Sequence, residues 1–96
     1  MKVVTLCGSM RFAKQMRQIA LELETKYGYC VIQPIFDGGV TLSDEDLDIL
    51  AKAHFKKIDI SDIVYIVNVD GYIGKSVSEE IRYAKEKNKE IMYHET

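Results

Sequence analysis

The residues with most chemical promise lie in three short stretches. Ser76-Val77-Ser78-Glu79 has the [ST]xxE form of a helix-opening capping box, in which Glu79 reaches back to the Ser76 amide. Glu80 is left without such a task. Taking 100° per residue, the apolar stripe of Val77, Ile81, Ala84 and Asn88 is centred roughly 65° from Glu80 but about 165° from Glu79. Glu80 therefore falls at the edge of a buried face, where a carboxylate loses solvation unless it is paired or used as an acid, base or nucleophile. The plain alternative is a first-turn glutamate favoured by the helix dipole. Gly8-Ser9-Met10-Arg11 places a small residue, a hydroxyl and a guanidinium at a helix start, suited to an anion such as phosphate, or else to simple capping by Ser9. His54 stands on an apolar helical stripe, where a lone histidine is ordinarily a satisfied core residue.

Other chemistries are disfavoured. There is no GxGxxG, no GxxxxGK[ST], no CxxC and no HExxH, and Cys7 lies too close to Arg11 for a CxxxxxR phosphatase loop. Neither a metal nor a redox role is expected. Cys7 and Cys30 both fall in β-type runs, where a thiol acts as a small buried apolar group. A net charge of −2 with interspersed signs argues against a nucleic acid polymer as partner. With 47% apolar residues and no run near the ~18 of a membrane span, the expectation is one ordered domain over 1–96, cytoplasmic and without membrane contact. Met1-Lys2 leads into a β-branched run rather than a signal peptide.

The elements that must position these residues alternate strictly. Lys2–Cys7, Tyr29–Gln33, Ile63–Val67 and Glu90–His94 read as strands. A helix from Met10 carries the stripe Phe12, Met16, Ile19, Ala20, Leu23 and Tyr27 and stops at Gly28. A second opens at Ser43 with Asp46 and carries Leu47, Leu50, Ala51, His54 and Ile58, and a third runs from Ser76 to about Asn88. This βαβαβαβ order predicts a three-layer α/β sandwich, flavodoxin-like or Rossmann-like, with four parallel strands in order 2-1-3-4. Ligands of such sheets bind where the winding switches, here between the loops 8–11 and 68–76.

Gly8-Ser9-x-Arg11, Ser61-Asp62, Gly71-Tyr72-Ile73-Gly74-x-Ser76 and Glu80-Ile81-x-x-Ala84 together resemble the nucleoside 2-deoxyribosyltransferase-like family, which includes the 2′-deoxynucleoside 5′-phosphate N-hydrolases. The resemblance spans nearly the whole chain. It implies a Rossmann-like fold, a homodimer, no cofactor or metal, and cleavage or transfer of the N-glycosidic bond of a 2′-deoxynucleoside or its 5′-monophosphate. The family's nucleophile matches Glu80. Its loop serine matches Ser76, at a shorter spacing to the glutamate, and its first-loop phosphate and sugar contacts match Gly8, Ser9 and Arg11. Asn68, Gly71, Tyr72 and Gly74 complete the set of candidate contacts, with Tyr72 and the Gly38-Gly39 loop framing the base. The family's helix-two Asp corresponds to His54, which would serve as hydrogen-bond partner or proton donor. Two rival functions follow: a nucleotide-sensing module of the same fold without turnover, or an enzyme cleaving the nicotinamide bond of NAD. Against the second, Pro34-Ile35 stands where a dinucleotide fold carries an acidic ribose anchor.

Overall fold

The computed structural model describes residues 1–95. Its strands β1 (Val3–Cys7), β2 (Cys30–Ile32), β3 (Ile63–Ile66) and β4 (Glu90–Tyr93) form one sheet in the order β2-β1-β3-β4, and every pairing is parallel. Helix α1 (Ala13–Tyr27) packs on one face, and α2 (Asp44–Asp59) and α3 (Lys75–Glu86) on the other. Among the described residues no helix is long and apolar enough to cross a membrane.

The period of two along β1 divides the core between the faces. Val4 and Leu6 join Met16, Ile19, Ala20 and Leu23 of α1, while Cys7 joins Ile58, Val64, Ile66, Val77 and Ala84. Both sets are buried, as a central parallel strand requires. Burial extends to the Thr5 hydroxyl, which contacts Ser61 Oγ and donates to the Lys57 carbonyl at 3.1 Å. Ser61 Oγ donates to that same carbonyl at 2.7 Å, fastening the last turn of α2 to the middle of β1. Asp62 accepts from the Val3 amide at 2.8 Å and returns its own N–H to the Val3 carbonyl, which sets the β1–β3 register.

Several boundaries differ from those the sequence suggests. Met10–Phe12 forms a 3-10 turn, with Ser9 Oγ accepting from the Arg11 amide at 3.3 Å, so α1 begins only at Ala13. The Ser43 capping box on α2 is formed in both directions, whereas that at Ser76 is not. Gly74, in extended conformation, caps α3 instead and its carbonyl accepts the Ser78 amide at 3.0 Å, which moves Ser76 inside the first turn. The Tyr72 ring lies against this cap, its hydroxyl 3.2 Å from where a Gly74 Cβ would be. Cys30 is exposed rather than buried: alternation along the edge strand β2 puts Val31 against the α1 face and turns Cys30 away from it.

Gly8 ends β1 where α1 and β3 converge. A Cβ here would lie 3.0 Å from Val67 Cβ and 3.2 Å from Met16 Sδ. Gly8→Ala should therefore cost about 1–3 kcal/mol through overpacking, measured as a lowered urea midpoint at unchanged slope.

Candidate active site

A cavity of about 470 Å³ opens at the carboxyl ends of β1 and β2, bounded by α2 and the start of α3. This is the crevice position expected for an open parallel sheet. One wall is apolar. The stripe predicted for α2 performs two tasks: His54 and Ile58 are buried, while Leu47, Leu50 and Ala51, one to two turns earlier, face the cavity. Leu47 is 52% exposed, a large apolar side chain given to a pocket rather than to the core. Lys75, Ser76 and Val77 of the first turn of α3 also border the cavity, and with no side-chain cap among the described residues their amides lack an intrahelical partner.

Between these walls three elements bring together Cys7, His54 and Glu80. His54 Nε2 lies 3.2 Å from Cys7 Sγ and 3.5 Å from Glu80 Oε1. The two side chains retain only 10% and 18% of their exposure, and no lysine or arginine pairs with Glu80 among the described residues. Burial drives both groups toward their neutral forms. Desolvation raises the Glu80 carboxyl to about 7, with a hydrogen bond from Cys7 acting against the shift and the Glu79 charge adding to it. Desolvation and then the Lys57 charge lower His54 to about 4. At neutral pH this is a neutral imidazole, hydrogen-bonded to Cys7, 3.5 Å from a carboxyl divided between acid and carboxylate, and the pair is not an ion pair. The Cys7 thiol is pushed well above its usual range, first by burial and then by the Glu80 charge.

Of the residues singled out from sequence, Gly8, Ser9, His54, Tyr72, Gly74, Ser76 and Glu80 all border the cavity. Arg11, Asn68 and Gly71 do not. The exposed Arg11 guanidinium lies 3.9 Å over the Tyr72 ring and so reaches the rim through that aromatic. Asn68 is buried and exchanges two 2.8 Å hydrogen bonds with the Glu95 backbone, tying the segment after β4 to the end of β3. Gly71 closes a 3-10 turn in the left-handed region at φ 76°, donating to the Asn68 carbonyl. Of the residues at the site that escaped the sequence reading, two act on His54 or Glu80. Cys7 is one, although its position at the end of β1, on the same face as Thr5, was a usable signal. Lys57, one turn beyond His54, is the other; its ammonium donates to the Gln33 carbonyl at 3.0 Å and reaches the cavity wall.

No protein-family model matches this chain, and no curated protein matches it in sequence. Its fold does have a solved counterpart. The CMP N-glycosidase BcmB of Clostridium botulinum superposes with a TM-score of 0.64 over 96% of this chain and 70% of its own, at 18% identity.

The two perturbed groups give stability opposite dependences on pH. Folded Glu80 keeps a proton that the unfolded chain loses from about 4.5, so stability falls as pH climbs toward about 7. Folded His54 refuses a proton that the unfolded chain accepts, so stability falls as pH drops from 6.5 toward about 4. Removing the Glu80 charge should accordingly stabilise the protein on the alkaline side. Urea unfolding of Glu80→Gln is expected to show a gain of up to about 3 kcal/mol at pH 8 that shrinks toward pH 5.

Proposed function

We propose that the protein cleaves the N-glycosidic bond of a 2′-deoxynucleoside or its 5′-monophosphate, with Glu80 as nucleophile. The observation that carries this reading is Glu80 itself: a largely buried carboxylate without a cationic side-chain partner among the described residues, at the wall of a cavity of nucleotide dimensions. The sequence resemblance assigns the same residue, and the fold shared with a nucleotide N-glycosidase agrees with the reaction class.

In this reaction a Glu80 oxygen attacks C1′ as the C1′–N bond breaks, and the bonding electrons leave with the base. The transition state carries positive charge on the sugar ring, and the desolvated carboxylate stabilises it more strongly than a hydrated one would. Water then attacks C1′ of the glycosyl ester and frees Glu80, while a second base in place of water gives transfer. His54, held neutral 3.5 Å from Glu80, serves as the polar neighbour that orients it. The proton for the departing base comes from solvent at the open mouth of the cavity. The apolar α2 wall with Tyr72 receives the base, and the uncapped amides of α3 with Ser9 and Ser76 receive the phosphate.

A panel of nucleosides and 5′-monophosphates, with released bases separated by chromatography, tests the reading. Glu80→Gln should lower base release by about three orders of magnitude or more, because an amide cannot form the glycosyl ester. Glu79→Gln, on the exposed side of the same turn, should keep it. Since only the carboxylate attacks, the wild-type rate should rise about tenfold between pH 6 and pH 8, following an ionisation near 7. Undiminished turnover in Glu80→Gln would refute the assignment. Binding of the monophosphates without any base release would instead favour a nucleotide-sensing module.

A further inference from the structure

The contact among Cys7, His54 and Glu80 has the composition and spacing of a transition-metal site. Sulfur, imidazole nitrogen and a carboxylate oxygen lie within 4.8 Å of one another. Tetrahedral zinc, with bonds of about 2.3 Å to sulfur and about 2.0–2.1 Å to nitrogen or oxygen, needs its donors about 3.3–3.6 Å apart. The Sγ–Nε2 separation of 3.2 Å and the Nε2–Oε1 separation of 3.5 Å are close to that requirement. Closing the remaining edge calls for movement on the order of 1 Å, within reach of a glutamate side chain. Each donor comes from a different regular element, β1, α2 or α3, so the set is held by the fold rather than by a loop.

From this arrangement we infer that Cys7 Sγ, His54 Nε2 and the Glu80 carboxylate bind a divalent ion of the zinc class, with the fourth position open to the cavity. Thiolate and imidazole select zinc or cobalt over magnesium or calcium, which prefer oxygen donors throughout. On binding, the Cys7 S–H bond gives way to an S–metal bond and the proton passes to solvent, with no change in oxidation state. A metal-bound histidine normally donates its other N–H to an acceptor, but among the described residues His54 Nδ1 is buried without a hydrogen-bond partner. The missing partner weakens the site, which suits a reversible occupant rather than a permanent one. Because Glu80 is a ligand, the ion masks the group assigned above as nucleophile, so zinc acts as an inhibitor. The masking rests on the glycosidase reading, whereas metal binding does not.

Cobalt(II) titration of the metal-free, reduced protein tests the site without reference to activity. One equivalent should give tetrahedral ligand-field bands and a thiolate-to-cobalt charge-transfer band, both removed by zinc. Cys7→Ser should abolish the charge-transfer band, and His54→Gln and Glu80→Gln should each weaken binding at least about tenfold. Cys30→Ser should leave the spectrum unchanged, and circular dichroism confirms that each variant is folded. A wild-type spectrum without a thiolate band, or a band that depends on Cys30 instead of Cys7, would overturn the site. Stoichiometric zinc should stop base release and a chelator restore it; zinc that fills the site while base release continues would overturn the masking. Absence of base release from metal-free protein would count against the glycosidase reading, and the cobalt spectra would still decide the metal site.

Discussion

Burial of β1 on both faces is the constraint from which the rest of the structure follows. A strand between two parallel neighbours and two helical layers has no solvated side, so each residue along it must find a partner on the face to which alternation assigns it. Val4 and Leu6 meet the apolar stripe of α1. Thr5 and Cys7 point the other way, and the Thr5 hydroxyl needs a hydrogen bond where water is excluded. The end of α2 supplies it, through the Lys57 carbonyl and Ser61. Once that turn is fixed, His54 lies one turn earlier on the same helix and meets Cys7. A structural hydroxyl in the core thus determines where the imidazole of the site resides.

The same helix shows how a small protein divides its apolar surface. In α2 the apolar periodicity runs unbroken, yet only its second half meets the sheet. The first half extends past the strand ends and forms a wall. The arrangement gives up burial that a chain of this size could use for stability, in exchange for a recess with one greasy side and one side of free amides. Placing a carboxyl between those sides adds a further cost in desolvation, and the interior of a 96-residue domain has little surplus from which to meet it.

Helix placement and the position of Glu80 were legible in the sequence because they depend on periodicity, and the strand order because strict alternation of strand and helix constrains the connections. The features that were not legible depend on competition between local options. Ser76 satisfies a capping pattern, but Gly74, packed beneath Tyr72, begins the helix first. Cys30 lies in a β-type run, yet an edge strand buries less than a central one and leaves it exposed. Asn68 is polar and close to the crevice, but its amide is engaged by the Glu95 backbone. The proximity of Cys7 to His54, 47 positions apart, arises only when the sheet register and the α2 anchor act together.

The unequal burial of the two thiols also gives the molecule an internal clock. Cys30 is open to any reagent, whereas Cys7 is closed beneath α2 and α3. A thiol probe, far bulkier than a metal ion, should therefore mark the edge of the sheet at the rate of the free chemistry and reach the fully buried Cys7 only when the helical layer lifts. The ratio of the two labelling rates reports the free energy of that opening, provided the layer recloses faster than the probe reacts. The side chain at the heart of the site thus records how often the native fold exposes its own interior.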